Sequence, residues 1–577
     1  MSDNSSEGSL FNTLSSCKRF LLTSAFFSFF INILMLAPPL YMLQVYDRVI
    51  TSQSFDTLLM LTLLLVFLFF VMYGLEVVRS RLLVRLGNRF DKLISPDVFE
   101  AMFYQGIHRP WKSSAQPLND LSNLRQFLSG NGLFAFFDAP WTPVYIAILF
   151  CFDAWLGVFS LCAGLILLGL AVANELSTRN LLADASNKQV GSQKLANSNL
   201  RNSEVLYAMG MMPGIKKRWS VHHHEFLANQ SLASDRAGVL SNVSKVTRLL
   251  AQSLILGLGA LLVLKGDLTP GMMIAGSILM GRALSPIDQA IAAWKHLITA
   301  RTAYSRLKSL FEATPVSSSR MSLPPPKGEV RVENVVASPP GTSSVALKGF
   351  NFQVSAGEHV GIIGSSGSGK SSLARVLLGI WPTQDGTVRL DDADIRQWNR
   401  DELGPYIGYL PQNIELFDGT IGENIARFGE VDSQKVVAAA KMAGVHDMIL
   451  HQPDGYDTNL ESSAGALSGG QRQRIGLARA LYGDPVLVIL DEPNASLDDA
   501  GEKALISALQ DLKSRGTTLF IISHRESILK TADKLLLIHD GKPRLYGSKE
   551  DVVRQVMAGQ QRMSESEKLS NTKGRAL

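Results

Sequence analysis

The sequence predicts an α-helical membrane bundle followed by an α/β domain. Three observations carry that expectation. Apolar residues crowd into long uninterrupted runs in the first half, short apolar runs alternate with helical segments in the second, and a Pro- and Ser-rich stretch divides the two. With 577 residues, 46% of them hydrophobic and 19% charged, the chain is apolar for a soluble protein. Its length suits about two to four domains.

A helix that crosses a bilayer needs about 20 mostly apolar residues. Six segments answer to that: 21–46, with Pro38 and Pro39 as a point to kink; 57–78; 133–152 and 154–174, a tight hairpin split only by Asp153; 249–264; and 270–287. The last is the least apolar and rich in Gly, Met and Ser, as expected where helices pack closely or line a pathway. The long connections, 79–132 and 175–248, are rich in Lys and Arg, whereas the loop after the first span offers Arg48 against Asp47 and Asp56. By the positive-inside rule both long connections, and both ends of the membrane half, are cytoplasmic. Their helix-forming composition extends the spans by roughly 35–40 Å before the chain turns near 108–117 and 207–217.

The formal net charge of +5 is not gathered into a basic tract with interleaved aromatics, so nucleic acid is not an expected partner. Cys17, Cys151 and Cys162 form no CxxC pair, which argues against a disulfide framework or a zinc site. His222, His223 and His224 point in different directions on a helix and read as a solvated face. The polar start "MSDNSSEGSLFNTLSSCKRF" lacks a cleavage site and does not look like a cleavable signal. The expected organisation is a cytoplasmic tail (1–19), a membrane domain (20–311), a linker (312–328), an α/β domain (329–560) and a polar tail (561–577) with disorder as its expected state.

The α/β half carries the chemistry. "EHVGIIG" reads as a buried strand, "SSLARVLLGI" as a helix, and between them 364–371 fits G-x-x-x-x-G-K-[ST]. Gly364, Ser365, Ser366, Gly367, Ser368, Gly369, Lys370, Ser371 and Ser372 would cradle the phosphates of a nucleotide. Backbone N–H groups and the helix N-terminus face one point, Lys370 reaches the β- and γ-phosphates, and the Ser371 hydroxyl ligates Mg²⁺. "VLVILDEP" is a second buried strand ending in two acids, Asp491 for the Mg²⁺ and Glu492 to polarise an attacking water. "LSGGQRQR" is a further glycine-rich turn opening a helix, an anion site that a nucleotide held by the first loop does not itself need.

Together these runs resemble the ATP-binding cassette (ABC) transporter family over nearly the whole chain. The resemblance implies a membrane α-helical bundle of six transmembrane helices, of the ABC exporter type, followed by an α/β P-loop nucleotide-binding domain. It implies ATP and Mg²⁺ as ligands, and two cassettes that pair head to tail. The Ser468, Gly469, Gly470 and Gln471 turn of one copy then closes on the γ-phosphate held by the other. In the same way Gln412 of "YLPQN" matches a Mg²⁺-sensing glutamine, Asp498 of "ASLD" a loop crossing the dimer, and His524 of "IISHR" a γ-phosphate switch. One departure stands out: Ala337, Ser338 and Pro339 occupy the place of the aromatic on which such exporters stack adenine.

A single membrane domain with one intact cassette implies a homodimer with two competent sites. The fused order implies an exporter whose turns at 108–117 and 207–217 couple cassette to membrane. "PPLYMLQVYDRVI" and "FFDAPWTPVYIAILFCFDAWLG" resemble the type I secretion ATPases of Gram-negative bacteria, in the group that exports proteases, lipases and RTX-like proteins by a carboxy-terminal signal. That implies an inner-membrane location with the cassette in the cytoplasm, membrane lipid around the helices, and a periplasmic adaptor and outer-membrane channel as partners. Only a short stretch precedes the first span, so no leader-peptidase domain is expected. The alternative is an exporter of lipid or small molecules. A regulatory protein that no longer hydrolyses ATP is disfavoured by the intact Glu492, His524 and LSGGQ.

Overall fold

The computed structural model describes residues 18–110, 113–130, 132–200, 202–314, 322–460 and 467–558. Residues 1–17 with Cys17, Lys112, Arg201, the linker stretch 315–321 and the tail 561–577 lie outside the described residues. The chain divides into two compact units, with the main division at residues 316 and 317.

The first unit is helical. Helix α1 (Lys18–Leu34) stops two residues short of Ala37, and α2 (Ala37–Gln44) restarts there with proline in its first turn, where a missing N–H costs nothing. A π turn (Val45–Val49) follows, and Gln53 at φ +50° ends the segment. Then α3 (Phe55–His108) runs unbroken for 54 residues, about 80 Å at 1.5 Å per residue. After Gln116–Ser129 (α4), Gly132–Asp138 (α5) and Thr142–Phe152 (α6), Asp153 alone separates α6 from α7 (Ala154–Leu200). A short helix, Ser203–Ala208, leads to α8 (Met212–Lys265), which Gly266 ends at φ +86° in a left-handed cap. The unit closes with α9 (Pro270–Glu312).

Among the described residues, five helical segments are long and apolar enough to cross a membrane: Lys18–Ser52, Phe55–His108, Gly132–Phe152, Ala154–Leu200 and Met212–Lys265. The sixth expected span lies on continuous helix in α9, but its glycines, serines and Arg282 leave it less apolar than the other five. The most apolar window of α3 has a mean hydropathy of 2.7 and none of it is buried, as befits a lipid-facing surface. Two cores fill the unit. One joins Tyr145 and Leu149 of α6, Leu156 and Leu167 of α7, Ile255 of α8 and Leu279 and Leu284 of α9. The other joins Leu83, Leu86, Phe90, Ile94 and Val98 of α3, at helical spacing, to Leu121 of α4 and Ala303, Leu307 and Leu310 of α9. A partly buried ion pair links three elements: the buried Arg79 of α3 meets the half-buried Asp138 of α5 at 3.2 Å and donates to Ser28 of α1 at 3.1 Å.

At the far end of the bundle, Thr269 caps α9 by accepting from the Met272 N–H and donates its own hydroxyl to Asp47 at 2.6 Å. The Gly271 N–H donates to the same carboxylate at 2.9 Å, and a Cβ there would sit 2.6 Å from it, so a larger residue would have to push the Asp47 carboxylate aside.

The second unit is α/β. Strands β1 (Val330–Ala337), β2 (Leu347–Val354), β4 (Asp385–Leu390) and β5 (Ala393–Asp394) make an antiparallel sheet in the order β2-β1-β4-β5. A six-stranded sheet runs β10-β9-β3-β8-β7-β6, with β3 (His359–Gly364), β6 (Ile407–Leu410), β7 (Leu487–Asp491), β8 (Thr518–Ile522), β9 (Lys534–His539) and β10 (Lys542–Ser548). All are parallel except β10. Every residue of β7 and β8 is buried, the continuous apolar run expected of central parallel strands.

Candidate nucleotide site

Open parallel sheets bind ligands at the carboxyl ends of their strands. Here β3, β8, β7 and β6 are consecutive neighbours, so their carboxyl ends deliver four loops to one edge. Gly364 ends β3, His524 follows β8 by two residues, Asp491 ends β7 with Glu492 next, and Gln412 lies two residues past β6.

The loop after β3 turns through Gly367 at φ +76° and Gly369 at φ +104° before α10 (Lys370–Leu377) begins. A side chain at 364 would meet the Ile538 carbonyl at 2.4 Å, so this glycine also allows a close backbone approach. The Lys370 ammonium donates to the Gly364 and Ser365 carbonyls at 2.8 and 2.9 Å. The Ser368 carbonyl accepts from the Gly541 N–H at 3.1 Å, stitching the loop to the β9–β10 turn. A cleft of about 540 Å³ opens here, lined on one side by Ser366, Gly367, Gly369, Lys370, Ser371, Ser372, Gln412 and Glu492. Val345, Ala346, Lys348, Asp540 and Gly541 complete the lining, and among the described residues no aromatic side chain takes part in it.

Charge in the cleft is finely opposed. Burial pulls the Lys370 ammonium below its ordinary value, while Glu492 and Asp491 hold it up. Asp491 is 2% exposed, and burial pushes its carboxyl up, helped by Glu492 and opposed by Ser371, Arg375 and Lys370. Its Oδ1 has no hydrogen-bond partner among the described residues, and the Ser371 hydroxyl lies against the carboxylate. An orphaned buried carboxylate oxygen beside a hydroxyl is a donor set suited to a hard divalent cation. Gln412 Nε2 donates to Glu492 Oε2 at 3.1 Å, bringing the expected Mg²⁺ ligand and the expected catalytic acid into contact.

Glu492 itself sits at φ +51°, a left-handed conformation costly for a side-chain-bearing residue, with its N–H bonded to the Ile522 carbonyl at 3.0 Å. What holds it is Gln473, a residue of the "LSGGQRQR" run to which the sequence alone assigns no role. Gln473 is 4% exposed; its Nε2 donates to the Glu492 and Pro493 carbonyls at 3.2 and 2.5 Å, and its Oε1 accepts from the Ser496 N–H at 2.8 Å.

The remaining expected residues lie elsewhere. Ser468 caps α11 (Gly469–Leu481) in a reciprocal box with Gln471, and a Cβ on Gly470 would meet the Ser496 carbonyl at 2.6 Å. Asp498 caps α12 (Asp499–Ser514). Neither turn lines the Lys370 cleft of its own chain, and the exposed His524 does not line it either.

Residues 21–286 match the family described as ABC transporter transmembrane region, and residues 347–495 match ABC transporter. The chain is 42% identical, over 95% of its length and 94% of the relative's, to the type I secretion system ATP-binding protein PrsD of Rhizobium meliloti (strain 1021). The chain belongs to the ABC transporter family. Another relative of this transporter, the leukotoxin translocation ATP-binding protein LktB of Bibersteinia trehalosi, is 27% identical across 91% of the chain and 75% of its own length. A solved bacterial Atm1-family ABC exporter with ATP bound shares the fold at TM-score 0.81 and 21% identity, over 93% of this chain and 97% of that one. The transporter is therefore a multi-pass membrane ATPase with a nucleotide-binding domain.

Proposed function

We propose that this transporter is the inner-membrane, ATP-driven motor of a type I secretion system, working as a homodimer that moves unfolded protein with a carboxy-terminal signal out of the cell. The observation that carries the reading is the 42% identity to a type I secretion ATP-binding protein across almost the whole of both chains. A periplasmic adaptor and an outer-membrane channel are its partners, and the cassette lies in the cytoplasm.

In the ATPase, loop 364–372 holds the phosphates by its N–H groups and Lys370 leaves its two carbonyl partners for the β- and γ-phosphates. Ser371, Gln412 and Asp491 would hold Mg²⁺, which when bound neutralises phosphate charge. Glu492, oriented by Gln412, takes the proton of the attacking water as that oxygen bonds the γ-phosphorus and the bond to the β-phosphate oxygen breaks. His524 contacts the γ-phosphate, while Ser468, Gly469, Gly470 and Gln471 of the second copy close over it and Asp498 crosses between copies. Exposure of the Ser468 turn, away from its own chain's cleft, supports that head-to-tail pairing.

The test is the culture-medium proteome of the parent strain beside a Lys370→Ala strain. Loss of one or a few proteins from the medium, with retention in the cells, is the expected result. An unchanged medium would refute protein export and turn the reading toward lipid or small-molecule cargo. Purified protein should hydrolyse ATP far faster than its Glu492→Gln variant.

A further inference from the structure

A second cleft, of about 540 Å³, lies between α8 and α9 within the membrane unit. On α8 its wall is Ser241, Lys245, Arg248 and Gln252, spaced so that all four share one helix face. On α9 the facing wall runs from position 278 to 292 at the same spacing and includes Arg282, Ser285, Asp288 and Gln289. This face is not built for lipid tails. Between 270 and 312 no large apolar side chain is exposed, whereas α3 exposes Leu59, Met60, Leu63, Phe67 and Phe70.

The charges are arranged to leave a surplus. Asp288 is already satisfied, with Ser244 donating to its Oδ1 at 2.6 Å and Arg248 to its Oδ2 at 2.5 Å. Lys245 and Arg282 line the same cleft and form no ion pair among the described residues. Three cations thus face one carboxylate at the expected cytoplasmic end of the spans. From 278 to 292 the stripe covers about 21 Å of helix, several times the roughly 6 Å depth of a headgroup layer. An extended polypeptide would lay about six residues along it.

We propose that this cleft is a contact site for the exported chain and selects segments rich in aspartate and glutamate, with Lys245 and Arg282 as the contacting cations. The proposal rests on the protein-export reading above. It is tested on the full-length protein in phosphatidylcholine nanodiscs, by fluorescence anisotropy with a labelled 20-residue peptide of alternating Glu and Ser and its Gln and Ser counterpart. The acidic peptide should bind the parent at least about tenfold more tightly than the neutral one. Lys245→Gln with Arg282→Gln should remove that difference, and Lys245→Arg with Arg282→Lys should keep it.

Equal binding of the two peptides to the parent, or an undiminished preference in the Gln variant, would overturn the proposal. So would a gain in thermal stability on moving the parent, but not the Gln variant, into phosphatidylglycerol nanodiscs while neither peptide binds; the occupant is then an anionic lipid. Culture-medium proteomes separate the two readings. Cargo lost from a Lys370→Ala strain yet released normally by the Gln variant sinks the cleft and leaves protein export standing. A medium unchanged by Lys370→Ala removes both.

Discussion

Replacing Gln473 by alanine should slow hydrolysis without loosening nucleotide binding. The side chain makes three hydrogen bonds, two to the Glu492 and Pro493 carbonyls and one from the Ser496 N–H. At 4% exposure, little water can replace them. A neutral hydrogen bond contributes about 1 kcal/mol net, so losing all three costs the turn about 2–4 kcal/mol. That is comparable to the roughly 1–3 kcal/mol stored in a left-handed side-chain-bearing residue such as Glu492. With the strut gone, Glu492 relaxes toward ordinary backbone and its carboxylate leaves the phosphate edge. At about 1.4 kcal/mol per tenfold in rate, kcat should fall roughly 10- to 100-fold. The loop 364–372 is untouched, so the KM for ATP should move by less than about twofold. The assay is steady-state phosphate release by purified full-length protein across an ATP series, with thermal unfolding as a check on folding. A folded Gln473→Ala protein with kcat within twofold of the parent would refute the strut.

Three further outcomes follow from the same geometry. Burial raises the Asp491 carboxyl above its ordinary range, so its contribution to stability is full below that range and is lost as pH rises through the folded value. Asp491→Asn should therefore unfold at a higher temperature than the parent in Mg²⁺-free buffer, by more at about pH 8 than at about pH 5, while losing ATPase activity. In the membrane unit, Arg79→Met should destabilise by about 1.5–3 kcal/mol, because Asp138 loses its charged partner but keeps the Asn32 amide at 2.9 Å, and Arg79→Met with Asp138→Leu should recover part of it in a denaturation series. Because no aromatic among the described residues lines the nucleotide cleft, GTP should compete with ATP within about tenfold in KM, and a larger discrimination would show that another group reads the base.

Much of this was legible beforehand because its signals are local. Periodicity and apolar length placed the helices, and Asp153 marked the hairpin between α6 and α7. The strand before Gly364 and the helix after Lys370 stand where the motif required them. What stayed hidden depends on partners distant in sequence. Gln473 looks like one more polar residue on an amphipathic helix until the strand ending at Asp491 folds beside it. Lys348 and Asp540 carry no motif, yet both line the cleft, where the Lys348 N–H donates to the Gly541 carbonyl at 2.8 Å and its ammonium to the Asp540 carbonyl at 3.2 Å, joining β2 to the β9–β10 turn. Likewise the surplus cations between α8 and α9 are scattered among positions that spacing alone reads as an ordinary basic loop and an unusually polar span.

The bond from Thr269 to Asp47 spans 222 residues of sequence. A ribosome adding about 5–20 residues per second needs roughly 10–45 s to bridge that gap. Through that interval the Asp47 carboxylate has neither the hydroxyl nor the Gly271 N–H that later satisfy it. The first hairpin of the bundle is thus inserted with its tip provisional, and the last helix to be synthesised is the one that fixes it. A chain truncated before residue 269 should leave that tip open to proteases, which makes this contact a timer on assembly as well as a clasp.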